Sequence, residues 1–268
     1  MLLNTIVYPK PYTERPSHVE NRRTERGGGP PRPAPRFESP LPFWTDLFEH
    51  VTRIIDYGIG NLRSLAKAFE AAGVPVERTD DVGALREAER LVLPGVGAFG
   101  ACADALAARG LDALVRERAA AGVPLLGVCV GMQLLFDASE ERPAADGTEH
   151  AGLGLLPGRV VRFDGRAAGE AGRRLKVPHM GWNRLHRVSA HPVLGEGPLP
   201  HVYFVHSYHA RPARASDVLA TVDYGGEVPA VVGRANVVGV QFHPEKSADG
   251  GLAMLRRFAA WAPAPVAA

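Results

Sequence analysis

The sequence predicts an α/β fold with a mostly parallel central sheet, helices on both faces and an antiparallel extension. From residue 52 to residue 136, short apolar runs alternate with helical stretches, which is the order that parallel strands and their crossover helices produce. After Asp137 this alternation gives way to short β-type runs, separated by turns such as Asp223-Tyr224-Gly225-Gly226. We expect these later runs to form antiparallel hairpins that extend the sheet.

The composition is ordinary for such a domain. The chain has 268 residues, a net charge of +2, 46% hydrophobic residues and 22% charged residues, so it can bury a sizeable core. A balance this close to neutral gives no electrostatic reason to expect a nucleic acid or a membrane surface as a partner. No apolar run reaches the roughly 18 residues of a spanning helix, and the start lacks the basic residues of a signal peptide. The two cysteines, Cys102 and Cys129, fit a reducing compartment, so we expect a cytoplasmic protein.

The first 50 residues differ from the rest of the chain. They contain 9 of the 23 prolines, together with Gly27-Gly28-Gly29 and Pro30-Pro31-Arg32-Pro33. We expect residues 1–50 to be a disordered Pro/Arg-rich extension, because they cannot bury enough apolar surface to offset their conformational entropy. One hypothesis is that native translation starts at Val51, where the first strand begins. Residues 51–268 are expected to form one domain.

Each element of the parallel half has a local signal. The run 53–57 is a predicted strand, and Asn61 is the predicted N-cap of a helix over 62–72 that ends at Gly73. The other predicted elements are strands at 74–78, 90–93 and 124–128, and helices at 82–89, 100–108, 111–121 and 132–136. Because functional groups in such folds lie at the carboxyl ends of the strands, the loops 56–61, 94–97 and 128–131 should converge.

The second half of the chain contains shorter strands. They are predicted at 154–163, 175–182, 201–208, 218–222, 230–234 and 237–242, and an amphipathic helix at 251–261 closes the domain. We find no internal repeat and no linker after residue 51.

The stretch Gly127-Val128-Cys129-Val130-Gly131 has the pattern of a nucleophile elbow. It follows an apolar strand and precedes a helical run, and the two glycines allow the tight turn on which a nucleophile is exposed. A sulfur at the start of a helix is favoured as thiolate by the macrodipole and the free N–H groups. Considered alone, the pattern also fits a buried structural cysteine.

A base and an acid follow in Phe242-His243-Pro244-Glu245-Lys246. A nucleophilic cysteine needs a base, and the base needs a carboxylate that fixes its tautomer and stabilises the imidazolium. His243 and Glu245 supply both groups within three residues. An exposed His and Glu on a turn is the alternative for this motif by itself.

A glycine-containing loop, Leu93-Pro94-Gly95-Val96-Gly97, ends the third predicted strand. Such a loop can direct N–H groups at a developing oxyanion, along with the N–H of Val130, and one such donor is worth about 3–4 kcal/mol of the barrier. It does not have the sequence of a phosphate-binding loop, because no Gly-Lys-Ser/Thr follows and no GxGxxG is present. A plain turn is the alternative.

Together these stretches resemble the triad-type (class I) glutamine amidotransferases, in order along nearly all of residues 51–268. Further motifs narrow the resemblance to the glutaminase subunits of imidazole glycerol phosphate synthase. They are Asp56-Tyr57-Gly58-Ile59-Gly60-Asn61-Leu62, Gly131-Met132-Gln133, Val177-Pro178-His179-Met180-Gly181-Trp182-Asn183 and Tyr203-Phe204-Val205-His206-Ser207-Tyr208. The Pro-His-Met-Gly-Trp-Asn motif carries most weight, because the glutaminases of other synthases differ there.

The resemblance implies a glutaminase that hydrolyses L-glutamine to glutamate and ammonia, and passes the ammonia to a (β/α)8 cyclase subunit in histidine biosynthesis. It implies Cys129 as nucleophile, His243 as base and then acid, and Glu245 as the orienting carboxylate, with no cofactor. The N–H groups of Gly95, Val96 and Val130 are the implied oxyanion hole. The implied glutamine-binding residues are Gly97, Gln133, His206 and Ser207. The implied contacts with the cyclase are Asn61, His179, Met180, Trp182, Asn183 and Lys246.

Three other interpretations of the sequence were considered. A free-standing cysteine hydrolase on the same fold would need no partner, and the glutaminase subunit of another ammonia-channelling synthase would use the same triad. An interaction subunit with a decayed site is disfavoured by the intact Cys129, His243 and Glu245. A metal site is not expected, because no CxxC or HExxH motif accompanies the histidines. His206 and His209 would also lie on opposite faces of a continuous strand.

Overall fold

An eight-stranded mixed sheet forms the centre of the molecule. The computed structural model describes residues 51–141, 147–165 and 174–264, which belong to one compact unit. The strands of the sheet are β1 (Thr52–Ile55), β2 (Val76–Thr79), β3 (Arg90–Leu93), β4 (Leu125–Val128), β9 (His186–Arg187), β12 (Val218–Asp223), β13 (Glu227–Arg234) and β14 (Val237–Val240). The prediction for residues 1–50 lies outside the described residues.

The order of these strands is β2-β1-β3-β4-β14-β13-β12-β9. The first five are parallel to their neighbours, and the last three continue the sheet in antiparallel fashion. Every residue of β3, β4 and β14 is buried, so the middle of the sheet is covered on both faces. The predicted α/β class, parallel core and antiparallel extension are confirmed.

Six α-helices surround the sheet within the described residues. They are α1 (Leu62–Ala71), α2 (Val82–Arg86), α3 (Phe99–Ala107), α4 (Leu111–Ala120), α5 (Val130–Gln133) and α6 (Ala248–Ala260). Helix α1 packs against α6, and α3 packs against α4. Their buried residues recur at helical spacing, as in Leu62, Leu65 and Phe69 of α1. None of these helices is both long and apolar enough to cross a membrane.

Two smaller sheets lie outside the central one, which the sequence did not predict. One pairs β8 (His179–Arg184) with β10 (His201–His206), and the other has the order β11-β7-β5-β6. The strands of the second sheet are β5 (Ala138–Ser139), β6 (His150–Ala151), β7 (Gly158–Arg162) and β11 (Tyr208–Pro212). The expectation that the later strands extend the main sheet is therefore wrong for the predicted runs 154–163, 175–182 and 201–208, because alternation along a strand does not specify its partner.

Candidate active site

Cys129 lies at the turn between β4 and α5, as the elbow pattern predicts. Its φ of 56° and ψ of −113° are unusual for a residue with a side chain, and this strain is typical of a nucleophile elbow. The backbone N–H of Cys129 donates to the carbonyl of Val240 at 2.8 Å, which ties the elbow to β14. The residue is 4% exposed.

The flanking glycines are required by close backbone contacts. A Cβ on Gly131 would lie 1.9 Å from the carbonyl oxygen of Leu93, and one on Gly127 would lie 2.7 Å from the oxygen of Gly131. The elbow therefore packs directly on the end of β3, where the loop 94–97 begins. The helix after the cysteine is shorter than predicted: α5 covers only Val130–Gln133. One turn has little macrodipole, so the helix itself contributes little to stabilising a thiolate there.

The parallel pairing of β14 with β4 brings the base to the nucleophile. Val240 lies opposite Val128, so Cys129 and His243 both follow the same edge of the sheet. The backbone N–H of His243 donates to the carbonyl of Tyr203 at 3.0 Å, and the carbonyl of His243 accepts a hydrogen bond from the hydroxyl of Ser247 at 2.6 Å. Ser247 was not predicted from the sequence, and it positions the backbone of the base.

Glu245 accepts a hydrogen bond of 2.9 Å from Nδ1 of His243, and both side chains are buried. Burial by itself lowers the pKa of His243, but interactions with the Cys129 sulfur and the Glu245 carboxylate, both as anions, outweigh burial and raise that pKa to about 10. Burial raises the pKa of Glu245, whereas the interactions with His243 and Asn61 hold it below its usual value. An imidazolium between sulfur and carboxylate is therefore the stable form at neutral pH.

Asn61 differs from the prediction only in what its side chain binds. It occupies the N-cap position of α1, but its side chain makes no capping hydrogen bond. Its Nδ2 instead donates to Oε1 of Glu245 at 3.2 Å, the oxygen that also binds His243. The other oxygen of Glu245, Oε2, is buried without a hydrogen-bond partner among the described residues. Asn61 thus contacts the triad from within the loop predicted to meet a partner.

The loop 94–97 lies against the elbow. A Cβ on Gly95 would be 2.5 Å from the nitrogen of Gly131 and 2.9 Å from the carbonyl carbon of Val130. Gly97 is exposed and has a φ of 86°, which favours glycine. Loop and elbow therefore bring the backbone of Gly95 against that of Val130 and Gly131, and the oxyanion hole formed by Gly95, Val96 and Val130 stays a prediction.

Gln133 is buried and already hydrogen-bonded within the protein. Its Nε2 donates to Oε1 of Gln241 at 3.0 Å and to the carbonyl of Tyr208 at 3.1 Å. The Nε2 of Gln241 lies 3.9 Å from the sulfur of Cys129. Gln241 was missed in the sequence, although it is two residues before His243 and strand alternation places such residues on one face.

Two buried histidines continue this polar chain. Nδ1 of His206 bonds to the carbonyl of Tyr208 at 2.8 Å, and Nε2 of His206 lies 3.0 Å from Nδ1 of His179. Nε2 of His179 lies 3.4 Å from the amide nitrogen of Asn183. Every contact is satisfied when both rings are neutral and protonated on Nδ1. Burial agrees with this, since it lowers the pKa of His179 to about 4 and that of His206 to about 3.

The remaining predicted glutamine-binding residue, Ser207, is half-buried between β10 and β11. The strand is interrupted there, so His206 and His209 do not continue one alternating strand. Their rings contact the same side chain, Phe163, with centroid distances of 5.2 and 4.7 Å. Within the described residues, no group of three or more His, Cys, Asp or Glu side chains could hold a metal ion.

The predicted interface residues divide into exposed and buried side chains. Met180 and Trp182 are 65% and 54% exposed on β8, and Trp182 meets Tyr203 edge-on at 6.1 Å. Lys246 is exposed, with its Nζ 5.8 Å from the centre of the Tyr203 ring. His179 is 3% exposed and stacks on Tyr224, so its side chain supports the surface from below. Asn183 donates to the carbonyl of Asp223 at 2.9 Å.

The fold and this site define a glutamine amidotransferase of class I, whose family model matches residues 53–261. The chain belongs to the family of imidazole glycerol phosphate synthase subunit HisH. It is 56% identical to that subunit of Salinibacter ruber over 211 residues, which cover 78% of this chain and 94% of the relative. The subunit of Bacillus subtilis is 48% identical over 76% of this chain and 93% of its own length. The subunit of Aromatoleum aromaticum is 50% identical over 78% of this chain and 98% of its own length.

Solved structures share the fold at lower identity. A crystal structure of a glutamine amidotransferase superimposes with a TM-score of 0.56 at 22% identity, covering 75% of this chain and 94% of that one. The structure of PurLQS from Thermotoga maritima gives a TM-score of 0.57 at 20% identity, and the match covers 79% of this chain and 96% of that one.

Proposed function

We propose that this chain hydrolyses L-glutamine through a Cys129–His243–Glu245 triad and delivers the ammonia to a (β/α)8 cyclase subunit that makes imidazole glycerol phosphate. The observation that carries the proposal is the 2.9 Å hydrogen bond between His243 and Glu245, at the edge of the sheet where the parallel strands β4 and β14 end and Cys129 follows β4. Nucleophilic catalysis requires a base beside the nucleophile and a carboxylate that orients the base, and these two loops supply the three side chains.

In the first half of the reaction the sulfur of Cys129 attacks the side-chain carboxamide carbon of glutamine. The C=O π electrons move to oxygen, and the N–H groups of Val96 and Val130 stabilise the oxyanion. His243 donates its proton to the leaving nitrogen, the C–N bond breaks, and ammonia departs from a thioester. Glu245 holds the imidazole in the orientation that makes this transfer possible.

In the second half, neutral His243 takes a proton from water, and the resulting hydroxide attacks the thioester carbon. A second oxyanion forms and collapses, the C–S bond breaks, and glutamate leaves. Gly97, Gln133, His206 and Ser207 are proposed to hold glutamine. The hydrogen bonds of Gln133 and His206 favour an indirect contribution, because their donors are directed at protein groups.

The cyclase is proposed to dock on the surface formed by Met180, Trp182 and Lys246. Two large apolar side chains exposed side by side on β8 favour a protein partner, because aromatic residues are enriched at the centres of interfaces. Asn61, His179 and Asn183 are proposed to belong to the same interface. A cytoplasmic location is part of the proposal, because a thiolate nucleophile survives best under reducing conditions.

Cys129→Ala tests the assignment in the assembled complex with the cyclase. The variant should lose glutamine-dependent synthesis of imidazole glycerol phosphate and retain synthesis supported by added ammonia. Glutamine turnover that persists in the variant would contradict the nucleophile assignment. Steady glutamine turnover by the isolated chain, unchanged by the cyclase, would instead favour a free-standing hydrolase.

A further inference from the structure

Two buried side chains that the mechanism does not use contact the loop of the oxyanion hole. The hydroxyl of Tyr57 donates to the carbonyl of Pro94 at 2.7 Å, and the thiol of Cys102 donates to the carbonyl of Val96 at 3.3 Å. Both residues are fully buried. Burial raises the pKa of the Tyr57 hydroxyl and of the Cys102 thiol, so both keep the proton that they donate.

The two carbonyls belong to the peptides on either side of the Gly95–Val96 peptide. All three peptides are trans, so each N–H points opposite to its own carbonyl. With the Pro94 and Val96 carbonyls held, the orientations of the Gly95 and Gly97 N–H groups are set. Among the residues that the structure describes, neither the Val96 N–H nor the Gly95 carbonyl has a hydrogen-bond partner. The Gly95–Val96 peptide, which supplies the Val96 N–H, therefore makes no hydrogen bond there, whereas the peptides on both sides of it are held by theirs.

We propose that Tyr57 and Cys102 are positioning residues that clamp the two flanking peptides, so that rotation in this loop is confined to the Gly95–Val96 peptide, which supplies the Val96 N–H to the oxyanion hole. The inference rests on the proposed glutaminase function and extends it. Neither side chain touches the reacting atoms. Their effect passes through the backbone, since Gly95 packs against Val130 and Gly131 with no room for a Cβ.

The test uses the full chain with Cys102→Ala and Tyr57→Phe, each of which removes one donor. The ¹³C carbonyl resonance of Val96 should move in Cys102→Ala, and that of Pro94 in Tyr57→Phe. Cys102→Ser keeps a donor and should leave Val96 nearer its wild-type position. This measurement needs no enzymatic activity, so it decides the clamp even if the proposed function fails. Unchanged resonances in both variants would overturn the inference.

The second measurement is glutamine turnover in the complex with the cyclase. Each variant should lower kcat about 3- to 30-fold, less than the roughly 100-fold loss of a whole oxyanion donor. The KM for glutamine and the iodoacetamide alkylation of Cys129 should not change, because neither needs the oxyanion hole. Tyr224→Phe removes the same kind of bond, to the carbonyl of Lys176 outside this loop, and should keep wild-type kcat.

A general loss of structure would behave differently. It would slow alkylation or raise KM along with lowering kcat, and this result would overturn the positioning role. The positioning role would also be overturned if the carbonyl resonances shift in both variants while kcat stays unchanged. If Cys102→Ala does not fold, Tyr57→Phe decides alone, because it removes one oxygen and keeps the ring.

Discussion

Asn61 and Glu245 lie 184 residues apart in the chain, and Nδ2 of Asn61 donates a hydrogen bond of 3.2 Å to Oε1 of Glu245. The same oxygen accepts from His243, so the carboxylate that orients the base is itself held by the loop after β1. This relationship connects a surface loop directly to the triad, and it explains why an asparagine at an N-cap position does not cap its helix.

Asn61→Ala should lower the glutaminase kcat about 10-fold, the size expected for losing one hydrogen bond to a charged group. Because Asn61 makes no capping bond, the fall in the free energy of unfolding should come from its lost hydrogen bond to the buried Glu245 carboxylate, about 1.5–3 kcal/mol. Steady-state kinetics and urea denaturation measure the two effects. Lys67→Ala, on the exposed side of α1, is the control and should change neither. A stability loss without a change in kcat would show that Asn61 acts on the helix alone.

Gln241→Met should lower kcat about 10-fold, because it removes the N–H 3.9 Å from the sulfur of Cys129. Gln133→Met removes the donor that orients Gln241 and should also lower kcat, with a smaller change in KM. If the two residues act as a unit, the double variant should be no worse than Gln241→Met, as a double-mutant cycle would measure. A large rise in KM for Gln133→Met alone would favour direct binding of glutamine by Gln133.

Acid should destabilise the fold through the buried neutral histidines. Burial lowers the pKa of His179 to about 4 and that of His206 to about 3, whereas an unfolded histidine has a pKa near 6.5. Below pH 6.5 the unfolded chain takes up protons that the folded chain does not, so the unfolding free energy falls by up to ~1.4 kcal/mol per pH unit for each histidine. This stability is fully present above pH 6.5 and is lost as the pH falls.

Urea denaturation at pH 7, 6 and 5 checks this dependence. His206→Gln should reduce the pH slope of the unfolding free energy relative to wild type, because one titrating site is removed. Val188 provides the control, because valine does not titrate and Val188→Ala should therefore leave the slope unchanged. Equal slopes in wild type and His206→Gln would mean that His206 is protonated in the folded chain.

Trp182→Ala should weaken binding to the cyclase about 30-fold, which corresponds to the ~2 kcal/mol of an aromatic hot spot. Val188 is 54% exposed, as is Trp182, but lies outside the predicted interface. Val188→Ala should therefore change the dissociation constant less than about 3-fold. Calorimetric titration of the cyclase into each variant gives the two constants. If the two substitutions change the dissociation constant equally, the cyclase does not bind at the surface that contains Trp182.

Local sequence patterns predicted the parallel half of the fold well. Strand β3 has the predicted bounds and α1 begins at the predicted residue, whereas other elements differ from the prediction by a few residues at their ends. The final helix starts at Ala248, three residues before the predicted Gly251, because its first turn is polar and Gly-rich and carries no apolar signal. The antiparallel half was less predictable, since β8 and β10 pair with one another away from the main sheet.

The roles of Asn61, Gln241, Ser247 and Tyr57 could not be assigned from their neighbours in sequence. Each acts through a hydrogen bond to a group on a different element, and a polar residue in a loop or buried strand has many possible partners. His179 shows the same limit, because it sits within an exposed strand yet its ring is buried against Tyr224.

By itself, the sequence determined the parallel α/β architecture, the elbow at Cys129 and the base–acid pair His243 and Glu245, because short motifs encode backbone turns and the spacing of groups within them. Only the tertiary structure decided which side chains hold that machinery. Contacts such as Asn61 with Glu245, and Cys102 with Val96, depend on strand order and packing between distant segments, and no local pattern encodes them.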